Sequence, residues 1–399
     1  KVIKDEVSLL ITEDVVNALP VYFINLDAKS ASLLYYAYIF SFDNDVLRKK
    51  IAQLILKLPF QVNTFKSIRY IYRAAKITND IHFFALLSKR VALSKPGYSS
   101  DFVHVSHNNW ISVDEEKQKK NPSIAFSKKT KSYFNSATYK TIYDLSQKDT
   151  DIYIKYAAKI LCSLNDKEDN VSEDIQYFYN YNQTTDSYEN EQRCYPKYHD
   201  FPALMYILYG ASERFHQQKN KWYFIVEELN ESKIAHREEV LPAIWNQKPN
   251  EVLEILVNGK SDTAIDFALR IVTENVCFLD TISNEITVKL VSHYHLKVIA
   301  FISDVLEKKH ADTQAEEAVL IGFLSSGNEK ALQLGFRWLE KYQDNYFKNS
   351  DFIICLLLTN EVGVIAYLHQ LYKVEIPYNH KIDIQKLESL FIKNTVFTN

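Results

Sequence analysis

Glycine is nearly missing from this chain, with 7 among 399 residues, where roughly 7% would be ordinary. That scarcity argues against a hairpin-rich β architecture and against phosphate loops whose backbone depends on glycine. No stretch approaches the ~18 consecutive apolar residues that mark a membrane-spanning helix. HExxH, GxSxG and the P-loop pattern are all missing, and with them the commonest local signs of hydrolase or nucleotide chemistry. The 4 cysteines, Cys162, Cys194, Cys277 and Cys355, lie far apart without CxxC spacing. They form no disulfide framework, which fits a reducing cytoplasm. Neither sign of charge dominates: 47 basic against 50 acidic residues leave a net charge of −3. That balance does not suggest a dedicated nucleic-acid binder, although a local basic patch stays open. Lys1–Asp5 lead only into the short apolar run Val7–Ile11, unlike a signal peptide. A chain that begins with lysine is expected to be a processed product or one piece of a longer protein.

Aromatic side chains are plentiful instead, with 27 tyrosines and 23 phenylalanines. They suit cores built from large rings, with hydroxyls reaching the surface. The stretch from Asn63 to Ser94 sets the pattern. Phe65, Ile68, Tyr72 and Ala75 recur at spacings of 3, 4 and 3 on one helical face, and Ile81, Phe84, Leu87 and Val91 repeat the device. Asn63 and Asn79 are the expected N-caps. Two such helices cannot bury both apolar faces alone and need neighbours of the same kind. Similar pairs recur along the chain. Asp27 is expected to cap a helix through Phe40, and a further helix runs from Asn44 to Pro59. Asn284 is expected to cap one long helix from Glu285 to about Glu307. Thr313 to Ser326 pairs with Asn328 to Tyr342, and Ile384 to Ile392 closes the series. The expected fold is an all-α solenoid of HEAT- or armadillo-like pairs, with an irregular helical bundle as the alternative. The segments are 1–94 (helical pairs), 95–129 (a long basic loop), 130–165 (a helical pair), 166–197 (an acidic insertion rich in Tyr and Asn) and 198–399 (further repeats). The acidic insertion reads as exposed and poorly ordered.

Four cations, Lys66, Arg69, Arg73 and Lys76, stand one position on from the first apolar stripe. Joined by Arg48, Lys49, Lys50, Lys89 and Arg90, they would make a ridge able to contact phosphates or an acidic partner. The plainer reading is a solvated face with weak ion pairs. Lys128, Lys129 and Lys131 end a lysine-rich loop that begins at Lys117, with Trp110 nearby, a combination suited to single-stranded nucleic acid. The acidic insertion complements both and would compete for them. Metal and catalytic signals are poor. His293 and His295 would point to different faces of one helix, and nothing completes a set with His104 and His107 or with Cys194 and His199. Glu227-Glu228 and Glu238-Glu239 read as solvated helical acids. No cofactor is expected.

Three groups of segments together carry a resemblance. Ile68–Ala75 runs into Asp80–Leu87. Ala125–Phe134 is followed by Ile154–Ala158. Leu208-Tyr209-Gly210 and Leu241–Trp245 precede Ala264–Leu269. As an ordered set, spanning roughly Asn63 to Arg270, these resemble the helical region of bacterial WGR-domain proteins of the molybdate metabolism regulator-like group. No WGR tripeptide occurs, and Asn135-Ser136 stand where that family usually has paired arginines, which weakens any basic-surface role. The resemblance implies a HEAT-like scaffold in a bacterial multi-protein system, beside MoxR-type AAA+ ATPases and von Willebrand A domain proteins. The leading expectation is therefore a non-enzymatic, cytoplasmic scaffold for a protein partner. A nucleic-acid-binding module using the basic stripe and the lysine loop is the alternative, and a helical-repeat enzyme with scattered site residues ranks third.

Overall fold

Several helices in this chain begin where a short polar side chain, such as Asn44, Asp80, Ser127, Asp149, Ser283, Asn328 or Asn349, accepts a free backbone amide. The structure is a computed structural model that describes residues 32–96, 102–112, 125–182, 186–218, 221–227, 237–275, 278, 282–359 and 361–374. The Asp27 cap, Lys117 to Lys120 and the helix expected at Ile384 to Ile392 lie outside these residues.

Helix α1 (Leu33–Phe40) passes through a 3-10 turn to α2 (Asp45–Lys57), where the Asn44 side chain accepts the Leu47 amide at 2.9 Å. Helices α3 (Val62–Ile77) and α4 (Ile81–Leu93) are the packed pair that the 3-and-4 spacing implies. Their caps differ from expectation. Gln61, not Asn63, precedes α3. Asp80, not Asn79, caps α4, because Asn79 turns left-handed at φ 55° and hands the role to the next carboxylate. A hairpin follows, β1 (Phe102–Ser106) with β2 (Asn109–Ser112). Ser127 and Asp149 then cap α5 (Lys128–Lys148) and α6 (Thr150–Ser163). One short turn, α7 (Asp166–Asp169), leads to strands β3 (Asp174–Asn182) and β4 (Ser187–Tyr195). Helix α8 (Pro202–Tyr209) precedes strands β5 (Phe215–Gln218) and β6 (Lys221–Ile225). Then come α9 (Pro242–Trp245), α10 (Pro249–Asn258) and α11 (Asp262–Glu274).

The chain is mostly helical but not all-α. Segments expected to be irregular, within 95–129 and 166–197, hold antiparallel strands, and β3, β4, β6 and β5 lie side by side in that order. Scarce glycine did not prevent these hairpins. Asn108 (φ 63°) turns β1 into β2, Asn170 (φ 48°) releases α7 toward β3, and Asp186 (φ 50°) stands just before β4. Asparagine and aspartate tolerate the left-handed region because their short polar side chains bond locally.

The described residues through Glu251, together with Gly259–Ala264, form one compact unit; Val252–Asn258 and those from Ile265 onward form a second. In the first, α4 packs on α2, α3, α5 and α6, and α8 rests on α5 and α6. Rings fill the seams: Tyr72 meets Phe84 and Phe134 at 5.5 and 5.0 Å, and Phe84 meets Tyr156 at 5.1 Å. Burying each such ring is worth about 2–3 kcal/mol. The Tyr72 hydroxyl shares a 2.9 Å bond with Thr138, and burial pushes its pKa up to about 12.

The second unit contains α12 (Asn284–Val291), α13 (Leu296–Lys309), α14 (Glu317–Leu324), α15 (Glu329–Lys341), α16 (Gln343–Tyr346), α17 (Ser350–Leu357) and α18 (Val362–Val374). Its helices pair as α12 with α13 and α14 with α15, while α12, α14 and α17 stack in one layer and α13 and α15 in another. The single helix expected from Glu285 to Glu307 is two. The chain turns at Ser292–His295, where the His295 ring nitrogen accepts the Lys297 amide at 3.3 Å and starts α13.

A polar network ties the roots of the β3/β4 hairpin to the helices of the first unit. Lys89 of α4, itself buried, reaches the part-buried Asp169 at 2.8 Å. Asp169 also accepts the Asn165 amide at 2.8 Å and the Tyr198 hydroxyl at 3.2 Å. That hydroxyl donates to Asp166 at 2.8 Å, and Asp166 accepts the Asp262 amide at 3.0 Å and Lys197 at 3.1 Å. Tyr198 holds φ 63°, a costly setting for a bulky residue, which these bonds offset. Burial raises the pKa of the Asp166 carboxyl, but hydrogen bonds from Ser261, Tyr198, the Asp262 amide and Lys197 outweigh it and leave the group below the usual range.

Two outcomes follow for urea unfolding. Lys89→Met leaves Asp169 short of its cation and costs about 3–5 kcal/mol. The depressed pKa of Asp166 gives stability that is complete above the ordinary aspartate value of about 3.9 and lost as pH falls through the folded value. Asp166→Asn is therefore less stable than wild type at pH 7, and the two converge in acid.

Candidate interaction surfaces

The α3 stripe is solvent-facing as the spacing implies. Lys66, Arg69, Arg73 and Lys76 are all exposed, while Phe65, Ile68, Ile71, Tyr72 and Ala75 on the other side are buried. Among the described residues no carboxylate pairs with any of the four, and the Arg69 guanidinium rests 5.8 Å from the Phe65 ring.

The wider ridge does not form, because most of its flanking cations are used inside. Arg48 pairs with Asp80 at 2.6 Å and lies over the Phe42 and Phe83 rings at 5.2 and 4.8 Å. Asp80 also accepts the Tyr38 hydroxyl at 2.9 Å. Lys89 belongs to the hairpin network. Arg90 donates to the Leu58 carbonyl above the Phe60 ring, and burial lowers its pKa to about 10. A buried cation needs such partners to offset its desolvation. Of the outer residues only Lys49 is fully exposed.

The lysine loop is also corrected. Lys128, Lys129 and Lys131 stand in the first turn of α5, and Lys131 pairs with Asp200 at 3.0 Å. Lys128 and Lys129 are exposed. Phe65 packs on Phe126 at 5.4 Å and Phe134 at 5.9 Å, which brings this turn to the end of α3 that carries Lys66. Trp110 is exposed on β2, 4.8 Å from the His104 ring.

The largest unanticipated surface is the β3/β4 hairpin. Nine residues pair with nine without interruption, from Asp174↔Tyr195 to Asn182↔Ser187, but only Arg193 and Cys194 of β4 pair onward to β6. The rest is a two-stranded arm. On one face Tyr177, Tyr179 and Tyr188 are 62, 69 and 73% exposed, with Ile175 beside them. The register adds Asn190, Gln192 and Cys194 to that face. None carries a charge at neutral pH; burial and the nearby Glu173 and Asp174 push the Cys194 thiol up. On the other face the Arg193 guanidinium lies 4.1 Å from the Phe178 ring and 4.4 Å from Tyr223, bonds Gln218 at 2.6 Å and pairs with Glu191. The charges thus fasten the inner side, and the tyrosines face water. A period-2 alternation of Ile175, Tyr177 and Tyr179 was the available sequence signal.

Glu238 and Glu239, expected in solvent, are buried. Arg214 clamps Glu238 through two bonds, at 2.6 and 3.1 Å, and Ser212 adds a third at 2.7 Å. Arg237 pairs with Glu239. The buried Tyr153 pKa is held well up, first by burial and then by Tyr206 and Glu239. Among the described residues no three His, Cys, Asp or Glu side chains converge as a metal site, and no helix is long and apolar enough to cross a membrane.

No family model, curated protein or solved structure matches the chain.

The two sides of the arm predict opposite mutational costs. Tyr177→Ser with Tyr179→Ser changes unfolding stability by less than about 0.5 kcal/mol, as exposed positions do. Arg193→Ala loses about 1–3 kcal/mol with its ring and amide partners. Thermal and urea melts of the purified variants check both.

Proposed function

We propose that this chain is a non-enzymatic, HEAT-like helical-repeat scaffold that holds a protein partner against the tyrosine face of its β3/β4 arm. The observation that carries this reading is the uncharged, exposed group of Tyr177, Tyr179 and Tyr188. Tyrosine offers a large rigid contact area at low entropic cost, and interfaces concentrate it for that reason. The layered helix pairs of the second unit support the repeat architecture. On the resemblance to WGR-associated proteins, the partner class we propose is a MoxR-type AAA+ ATPase or a von Willebrand A domain protein in a bacterial multi-protein system. A cytoplasmic setting goes with that reading.

A second reading rests on a different observation. Four exposed cations without carboxylate partners on α3, with Lys128 and Lys129 nearby, suit phosphate contact. It is the weaker one, because Arg48, Lys89, Arg90 and Lys131 are bound within the fold.

Binding experiments separate the two. With each candidate partner, Tyr177→Ser, Tyr179→Ser and Tyr188→Ser together weaken binding at least about thirtyfold, the loss of one ~2 kcal/mol hot spot or more. Charge reversal of Lys66, Arg69, Arg73 and Lys76 to glutamate leaves that binding unchanged. The opposite pattern would establish the nucleic-acid reading: tight single- or double-stranded DNA or RNA binding that falls steeply with salt and is abolished by the four reversals.

A further inference from the structure

We infer that the outer edge of β3 pairs, antiparallel and about a two-fold axis at Phe178, with the same edge of a second copy of this chain. The inference does not rest on the scaffold reading. It uses the backbone edge of the arm, with Tyr177 and Tyr179 paired across that edge, and leaves the tyrosine face turned to solvent.

Among the described residues β3 pairs only with β4, so one side of a nine-residue strand offers its amides and carbonyls to no other strand. Such an edge templates further pairing unless something blunts it. The usual devices within the strand itself are absent here. The run Asp174-Ile175-Gln176-Tyr177-Phe178-Tyr179-Asn180-Tyr181-Asn182 has no proline, no lysine and no charge after its first residue. Its register against β4 is unbroken, so no bulge twists it away. The opposite edge of the same sheet, β5, is only four residues long and is protected by its shortness. Among the described residues the sheet is therefore guarded on one side and open on the other.

The occupant follows from the strand's own symmetry. A two-fold axis at Phe178 sets Phe178 opposite its mate, Tyr177 opposite Tyr179, residue 176 opposite residue 180, and residue 175 opposite residue 181. Asp174, the strand's only charge, meets Asn182. No like charges oppose each other, and Tyr177 and Tyr179 already share a face, so aromatic cross-strand pairs form with their usual small gains. A closed two-fold contact of this kind is self-complementary and ends at two copies. It joins two four-stranded sheets into one and places two sets of tyrosines on a continuous platform.

The test uses the purified full chain alone, by sedimentation velocity across a concentration series, so its outcome does not depend on any partner. Wild type is a dimer. Tyr177→Lys with Tyr179→Lys opposes lysine to lysine across the axis and raises the dimer dissociation constant by at least about tenfold, as does the matching Tyr177→Glu with Tyr179→Glu pair. An equimolar mixture of the two variants restores the dimer, a result that misfolded variants cannot give. Tyr188→Ser, which alters the tyrosine face on β4, leaves the dimer intact. A wild type that stays monomeric, variants that dimerise as wild type does, or a mixture that fails to recover would each overturn the inference.

Discussion

Two carboxylates, Asp166 and Asp169, hold the base of the β3/β4 arm to the helical body. They lie just before β3, and Lys197 and Tyr198 lie just after β4, so one network closes both ends of the hairpin. Its other anchors are Lys89 on α4 and the amide that opens α11. A two-stranded ribbon is marginal in water by itself. Here it is supported at its root by charge-assisted bonds and at Arg193–Cys194 by pairing to β6. The tyrosine face is displayed because this base is fixed.

The same economy of charge decides the remaining surface. Cations that turn inward, Arg48, Lys89 and Arg90, each meet a carboxylate, a carbonyl or a ring. Those left outside on α3 face water with no carboxylate partner among the described residues, and α5 adds two lysines near one end. Arg193 spends its charge on the inner side of the arm, which leaves the outer side neutral. The molecule thus presents one basic strip and one aromatic platform on different elements, and they call for partners of different chemistry.

Much of the helical order was legible because 3-and-4 spacing survives any loop assignment: Phe65, Ile68, Tyr72 and Ala75 are buried as a row. Caps were legible only to within a residue or two. Asparagine competes for the left-handed turn, so Asn79 turned and Asp80 capped. The strands were obscured by composition. Acidic and asparagine-rich segments usually stay unfolded, but here the acids bond at the root and every second residue of β3 is a large apolar or aromatic side chain on one face. Burial of Glu238 and Glu239 depended on Arg214, distant in sequence, and on Arg237 folding back beside its neighbour, which no local pattern reveals. The α3 stripe was found because it needs only one helix. Its proposed extension failed because the flanking residues answer to partners far along the chain.

Hydrogen–deuterium exchange across residues 166–200 tests this account most directly. If the carboxylate network anchors a formed arm, amides shared between β3 and β4 are slow in the wild type. They become fast when Asp166 and Asp169 are both replaced by asparagine, while helices α5 and α6 keep their protection. Complete exchange of both strands in the wild type at the earliest time point would contradict it. The segment would then be the loose acidic insertion that its composition describes, and the tyrosine platform would not exist.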